Sequence, residues 1–231
     1  MKLKGRLLAA KFLDRLNRFV VSISLDGRST SAHLANSGRL REILLPGVKL
    51  LVRRAPDGSR KTQFDVVLAR LDSGGLVSVD ARLPTPLLQE ALGQGVAAGL
   101  EGYRVKKREP ALGKGRFDLL LEKGEKLLIA ETKSVTLVNE GVALFPDAPT
   151  RRGVRHLEEG TRSVASGLAA AIVFVVQRED ARAFTPNITA DPAFASALRT
   201  AAEVGVHILA YRCIVSDEEV RIDCRLPIRL R

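Results

Sequence analysis

The pattern of side chains changes at Pro84-Thr85-Pro86, and this change most limits what the chain can fold into. Before it, short alternating or β-branched segments are separated by turn residues, which is typical of a small β-barrel. After it, strand-like segments alternate with helical ones, which is typical of a mixed α/β sheet. We therefore predict an α+β protein of two domains, with an OB-like β-barrel over residues 1–84 and an α/β domain over residues 85–231.

Six strands and one short helix are predicted for the first domain. The strands are placed at residues 3–13, 19–25, 29–34, 48–52, 62–71 and 76–79, and the helical pattern at residues 40–44. Turn pairs such as Asp26-Gly27, Pro46-Gly47 and Asp57-Gly58 separate them. The second domain is predicted to have helices at residues 87–98, 150–167 and 192–204. Its strands are placed at residues 103–108, 116–121, 126–131, 170–176 and 206–214.

Hydrophobicity argues for a folded protein outside the membrane. Of the 231 residues, 45% are hydrophobic, so a packed core can form. No apolar run reaches the roughly 18 residues that a membrane span needs, and no export signal is evident, so we expect a cytoplasmic protein without a membrane partner.

Cys213 and Cys224 flank residues 217–219, and a tight turn there would place them opposite each other. That spacing permits a disulfide, but disulfides are rare in the cytosol, so we interpret the two residues as reduced thiols.

Positive charge is concentrated in the first domain. Residues 1–85 carry 16 basic and 7 acidic side chains, whereas the other 146 residues carry 21 and 19. This imbalance favours a nucleic acid as the partner, with an anionic membrane surface or an acidic protein as alternatives. The only aromatic residues there are Phe12, Phe19 and Phe64. So few aromatics favour contact with the backbone of duplex DNA over the base stacking that single-strand binders use.

A possible metal site lies in the second domain. Side chains alternate along a strand, so Glu131 and Lys133 project from one face, and a turn at Gly124 would bring Asp118 beside Glu131. Two adjacent carboxylates repel each other unless a cation lies between them, and Mg²⁺, with Mn²⁺ as a substitute, prefers such oxygen ligands. Asp118 and Glu131 are therefore the predicted metal ligands. Lys133 is predicted to position the attacking water or to stabilise negative charge on a phosphate.

Glu90 is the predicted third carboxylate, since it is the only acid in the helical pattern of residues 87–98. A helical acid, an aspartate and a Glu-x-Lys strand resemble the core of the PD-(D/E)xK nucleases. That resemblance predicts catalytic roles for Glu90, Asp118, Glu131 and Lys133. The alternative is a β-hairpin whose exposed charges form surface ion pairs.

Five further residues are predicted to contact DNA. Asn36, Arg39 and Arg41 lie at the start of the short helical pattern, where free N–H groups and arginines suit a phosphate. The alternative is a capping turn with solvated arginines. Arg152 and His156 are four residues apart and share a helix face, from which they would hold a phosphate near the acids. The alternative for His156 is a structural hydrogen bond, and Asp147 is interpreted as a turn residue.

A longer resemblance covers nearly the whole chain. The segments that carry it are residues 32–42 (AHLANSGRLRE), 131–137 (ETKSVTL), 145–157 (FPDAPTRRGVRHL), 174–178 (FVVQR) and 209–211 (LAY). In this order they resemble the sugar fermentation stimulation protein A family. The resemblance implies an N-terminal OB-like domain, a C-terminal nuclease-like domain and DNA binding. Thr132 replaces the family's more common valine; by strand alternation it faces away from the site, so we expect no effect on metal binding.

The functional prediction is a DNA-binding protein with a magnesium-dependent phosphodiesterase site in its second domain. One alternative is a non-enzymatic regulator of carbohydrate metabolism that uses a nuclease-like scaffold to bind DNA, as the family is usually described. A second alternative is an RNA-binding or RNA-processing factor. Fold alone does not choose among them, because function resides in the site.

Overall fold

A closed β-barrel forms the N-terminal part of the computed structural model, which describes residues 1–55, 62–113 and 115–230. The barrel strands are β1 (Leu7–Asn17), β2 (Val20–Leu25), β3 (Arg28–His33), β4 (Lys49–Arg54), β5 (Phe64–Arg70) and β6 (Leu76–Ser78). They are ordered β3-β2-β1-β4-β5-β6, and pairing of β3 with β5 closes the barrel. The predicted turn at Asp57-Gly58 lies outside the described residues.

Alternation along the strands builds the core of this barrel. Val21 and Ile23 of β2 and Leu50 and Val52 of β4 are fully buried, while their neighbours in sequence are more exposed. This is the two-residue period from which the strands were predicted. The prediction of an OB-like barrel is confirmed.

A six-stranded mixed sheet forms the centre of the second domain, in the order β17-β16-β14-β11-β10-β7. Its strands are β7 (Arg104–Arg108), β10 (Leu119–Lys123), β11 (Lys126–Val135), β14 (Ala169–Val176), β16 (His207–Val215) and β17 (Val220–Arg225). The central strands β11, β14 and β16 are parallel, and the outer pairs are antiparallel. The predicted α/β domain is therefore confirmed.

Helices cover both faces of this sheet. They are α1 (Pro84–Gly93), α2 (Arg151–Ala165) and α3 (Pro192–Glu203). Leu88 of α1 belongs to the core on one face, whereas Leu157 of α2 and Phe194 of α3 belong to the core on the other. The hydroxyl of Thr150 caps α2 by accepting the N–H of Gly153, and Asp191 caps α3 in the same way, as their short polar side chains favour.

Some elements differ from those predicted. The helix predicted at residues 40–44 is a series of turns, and Leu40 there has a φ of +50°, which no right-handed helix contains. Five strands of two to four residues were missed because they are too short to show a period. They are β8 (Ala111–Leu112), β9 (Gly115–Arg116), β12 (Val138–Asn139), β13 (Val142–Phe145) and β15 (Ala183–Pro186).

Backbone contacts join the barrel to the α/β domain. Ser78 at the end of β6 donates its N–H to the carbonyl of Gln177 at 3.0 Å. The buried Gln177 side chain returns a hydrogen bond to the carbonyl of Asp80 at 3.1 Å. Because these bonds lie directly beyond β14, they fix the barrel next to the end of the central sheet. Within the described residues, no helix is both long enough and apolar enough to cross a membrane.

Candidate metal and nucleic-acid site

A polar cleft of about 480 Å³ lies where the barrel meets the α/β domain. The barrel contributes Arg18 and residues 36–38 to its wall. The α/β domain contributes Asp118, residues 131–137 and residues 144–150. Asp118 and Glu131, two of the predicted acidic residues, therefore face a space that the basic first domain helps to enclose.

Asp118 is held at this cleft by Thr132. Thr132 donates to Asp118 Oδ2 from its backbone N–H at 2.7 Å and from its hydroxyl at 2.6 Å. The same hydroxyl lies 2.8 Å from that of Thr85 on α1. Thr132 faces α1, as alternation predicts, but it also lines the cleft and orients a predicted ligand. The expectation that position 132 faces away from the site is therefore wrong, and the expectation that it does not affect metal binding stays a prediction.

Glu131, Lys133 and His156 form a second hydrogen-bonded group. Lys133 Nζ lies 2.5 Å from Glu131 Oε1 and 3.2 Å from His156 Nδ1. His156 Nδ1 also contacts Glu131 Oε1, and its ring stacks on Phe117 with a centroid separation of 5.8 Å. His156 projects from α2 onto β11, so the helix fixes the orientation of the Glu-x-Lys side chains from behind the cleft.

The two carboxylates, Asp118 directly before β10 and Glu131 on the adjacent β11, differ in their electrostatic environment. Leu119 pairs with Ala130, which places Asp118 next to Glu131. Burial, together with the negative charge of Glu131, raises the pKa of Asp118. Burial also acts to raise the pKa of Glu131, but bonds from His156 and Lys133 outweigh it and hold that pKa below its usual range. Asp118 is therefore the carboxylate that a nearby cation would most readily help to ionise.

The free oxygens of this pair fit a divalent cation. Glu131 Oε2 is buried and has no hydrogen-bond partner within residues 1–55, 62–113 and 115–230, an arrangement that needs an explanation in a folded protein. Asp118 forms its hydrogen bonds through Oδ2, which leaves Oδ1 without a partner among the described residues. Among the residues that the structure describes, no group of three or more His, Cys, Asp and Glu side chains is arranged to hold a metal. Two carboxylates are nevertheless sufficient for Mg²⁺, which usually retains waters and binds substrate phosphates.

Glu90 is not part of this group. Its carboxylate accepts a hydrogen bond from the Met1 ammonium at 2.6 Å, and it does not line the cleft. The prediction that Glu90 joins Asp118 and Glu131 is therefore wrong, because the face of α1 that carries Glu90 meets the chain terminus. The α1 residue that reaches the site is Thr85.

The loop of residues 36–40 is structural rather than an open phosphate site. Asn36 is buried, donates to the carbonyl of Val79 and accepts the N–H of Gly38. The N–H groups of Arg39 and Leu40 both donate to Asp147 Oδ2, at 2.6 and 3.2 Å. The anion site predicted here is thus filled by a carboxylate of the protein itself, and Asp147 joins the two domains instead of merely forming a turn.

Three comparisons with known proteins bear on the identity of the chain. Family models described as "SfsA N-terminal OB domain" and "Sugar fermentation stimulation protein RE domain" match residues 13–79 and 82–219. The chain belongs to the sugar fermentation stimulation protein family. It is 43% identical to the homolog of Desulforamulus reducens over 97% of this chain and 93% of that one, and 44% identical to that of Moorella thermoacetica over the full length of both. It also superimposes on the structure described as Pyrococcus furiosus SfsA in complex with Ca²⁺, with a TM-score of 0.89, 32% identity and 99% coverage of each chain.

In this family member, three of the five segments that carried the resemblance contribute to the cleft. They supply residues 36–38, 131–137 and 145–150 of its lining, and Asp147 of the third segment is hydrogen-bonded to the barrel loop. The two family models divide the chain between β6 and α1, where the architecture changes. The resemblance in sequence is therefore confirmed, and it covers both domains.

The remaining predicted contact residues occupy different positions in this SfsA-family structure. Arg152 is exposed and lines the cleft, whereas His156, one turn further along α2, is 1% exposed. Buried in this way, His156 has no surface to offer a phosphate, so the prediction of direct DNA contact is wrong. Arg39 and Arg41 are exposed on the barrel, but neither lines the cleft.

Two residues organise the barrel side of the cleft: Asp147, which the sequence analysis interpreted only as a turn residue, and Arg15, which it did not single out. Asp147 accepts hydrogen bonds from the loop, as described above, and Arg15 donates hydrogen bonds to it. The Arg15 guanidinium donates to five backbone carbonyls, those of Asn17, Arg18, Asn36, Gly38 and Arg39. From the sequence alone, an arginine on an alternating strand is interpreted as a solvated charge. Its carbonyl partners in the loop become apparent only in the folded structure. For Asp147, its position between two prolines was the available signal.

Proposed function

We propose that this protein is a metal-dependent phosphodiesterase that acts on DNA held in the cleft between its two domains. The observation that carries the proposal is Glu131 Oε2, a buried oxygen beside Asp118 that has no hydrogen-bond partner in the described part of the chain. The relative from Pyrococcus furiosus is described in complex with Ca²⁺, a hard cation that prefers the same oxygen ligands as Mg²⁺.

Asp118 and Glu131 are the residues that would hold the cation. When bound, a divalent cation stabilises negative charge on a phosphate and lowers the pKa of water. Lys133 places an ammonium group beside Glu131, where it would orient the water that attacks phosphorus as the phosphodiester P–O bond breaks. His156 acts as a positioning residue, because it contacts both Lys133 and Glu131 without reaching the cleft.

Arginines at the edges of the cleft supply affinity for the DNA backbone. Arg18 comes from the barrel, Arg82 from the segment between the domains and Arg152 from α2, and all three are exposed. Arg82 is itself paired with Asp80, so Arg18 and Arg152 are the arginines that would chiefly offset the negative charge of the carboxylates toward a polyanion. Backbone binding of this kind weakens as the salt concentration rises.

The direct test is cleavage of duplex DNA by the purified protein with Mg²⁺ or Mn²⁺. The variants are Asp118→Asn, Glu131→Gln and Lys133→Ala, and we expect each to reduce the rate by about 100-fold or more. Glu122→Gln is the matched control, since Glu122 is also a strand carboxylate of the same domain but pairs with Arg104 and Lys106 at the surface. Cleavage that persists in Glu131→Gln at the rate of the parent would contradict the assignment.

Mn²⁺ binding and DNA binding are measured separately from cleavage. Loss of Mn²⁺ binding in Asp118→Asn and Glu131→Gln, but not in Glu122→Gln, would support the metal site independently of turnover. Retention of DNA without cleavage under any metal would instead support the non-enzymatic regulator. Stronger retention of a matched RNA at the same salt concentration would support the RNA-processing alternative.

A further inference from the structure

One aromatic side chain of the barrel is exposed. Phe12 and Phe64 are 3% and 4% exposed and belong to the barrel core, whereas Phe19 is 44% exposed. Phe19 lies in the turn between β1 and β2, and Leu16 near the end of β1 is 57% exposed; Leu13, further back on β1, is 41% exposed. Isolated exposed apolar residues are normal, but exposed apolar side chains within one hairpin need a reason.

This hairpin end adjoins the cleft. Arg18, the residue before Phe19, lines the cleft, and its guanidinium lies 5.5 Å from the centroid of the Phe19 ring. An apolar ring beside a cation matches the composition of a nucleotide, which joins a flat base to a charged phosphate. A wholly apolar partner would leave the Arg18 charge without a counterpart.

The position of Phe19 is fixed by the barrel. The N–H of Phe19 donates to Asn17 Oδ1 at 2.9 Å, and its carbonyl accepts the N–H of Leu34 at 2.8 Å. Arg15 ties the carbonyls of Asn17 and Arg18 to the loop on the cleft wall. A platform that is already ordered loses little entropy when a ligand binds to it.

We propose that Phe19 is a stacking platform for an unpaired nucleobase of the strand whose phosphates enter the cleft. The inference rests on the proposed function and narrows its substrate class to DNA with an unpaired base beside the duplex. OB barrels commonly use the loop between their first two strands to bind oligonucleotides. Base-on-aromatic stacking does not depend strongly on sequence, because every base has a π-face.

The test compares three labelled DNAs by fluorescence anisotropy without divalent metal, so that no cleavage occurs. They are a continuous duplex, the same duplex with a short single-stranded gap, and that gapped duplex with abasic nucleotides in the gap. The variants are Phe19→Ala and Phe19→Trp. Val204→Ala is the matched control, since Val204 is also 44% exposed and lies at the end of α3, away from the cleft.

Phe19→Ala is expected to weaken binding to the gapped duplex by about tenfold, while Phe19→Trp retains it. The continuous duplex and the abasic gap should bind Phe19→Ala as they bind the parent. Equal loss on all three DNAs would show a general effect, and no loss on the gapped DNA would show that Phe19 does not stack; either result overturns the inference and leaves the nuclease proposal standing. If the parent protein retains none of the DNAs at low salt, both proposals fail.

Discussion

Gly38 and Asp147 provide a quantitative test of how the two domains are joined. A β-carbon added at Gly38 would lie 2.7 Å from Asp147 Oδ2, which is closer than any ordinary contact, and 3.0 Å from Asn36 Oδ1. Because that carboxylate also accepts two backbone N–H groups from the loop, it has no room to retreat. The two substitutions Gly38→Ala and Asp147→Ala therefore act on one shared contact.

The expected energies follow from the contacts. Asp147→Ala removes two hydrogen bonds to a charged acceptor; because the bond from Arg39 is exposed, it should contribute little beyond the bond from Leu40, and we expect about 2 kcal/mol in all. Gly38→Ala overpacks the contact and should destabilise the protein by about 2 kcal/mol. Once Asp147 is alanine, most of that clash disappears, so the double variant should be destabilised by about 3 kcal/mol rather than 4. The coupling energy is then about 1 kcal/mol.

Urea unfolding of the parent, the two single variants and the double variant measures this coupling. Hydrogen exchange of the peptide that covers residues 36–44 reports whether the loop is the part that loosens, which matters because a two-domain protein need not unfold in one step. Effects that add within about 0.3 kcal/mol would refute the shared contact. So would unchanged exchange of this peptide in Asp147→Ala.

Three further predictions concern single side chains. Thr132→Val removes the hydroxyl hydrogen bond that lowers the pKa of Asp118, so the pKa of Asp118 should rise further. Because the cation needs the ionised carboxylate, Mn²⁺ binding measured at a series of pH values should be lost at a higher pH in this variant than in the parent. Burial raises the pKa of the Cys213 thiol to about 12, whereas Cys224 is only half-buried, so a thiol reagent at mildly alkaline pH should modify Cys224 alone until the protein is unfolded. Rapid reaction of both thiols in the folded protein would contradict this. Glu90→Gln should leave Mn²⁺ binding unchanged, and a clear loss of affinity would return Glu90 to the site.

Local sequence patterns predicted the parts of the site that a single strand or hairpin determines. Alternation correctly placed Glu131 and Lys133 on one face, and the turn after β10 brought Asp118 beside Glu131. The side-chain period is a property of the strand itself and does not depend on what packs against it. The predicted two-domain α+β architecture followed from the same periodicities.

Contacts between distant elements were beyond such patterns. The apolar neighbours of Glu90 indicated which face of its helix it occupies, but the sequence did not show that this face meets the ammonium group of Met1. Residues 40–44 have helical spacing, yet Asp147 binds the N–H groups of Arg39 and Leu40 in a conformation that excludes a helix. For Cys213 and Cys224, the bulge in the hairpin places one thiol in each of the two cores on opposite faces of the sheet, so the spacing that permitted a disulfide does not produce one.

Because the cleft is lined by two domains, the residues proposed to hydrolyse the phosphodiester and the residues proposed to select the nucleic acid belong to different domains. Glu131 and Lys133 lie on β11 and Asp118 directly precedes β10, so in the proposed function a change there disturbs the groups assigned to the chemistry. The hairpin that ends in Arg18 and Phe19 belongs to the barrel, where residues are replaceable without touching those groups. Under the two proposals, relatives that share these acids and the lysine could differ in nucleic-acid preference through a few exposed side chains at the tip of one hairpin.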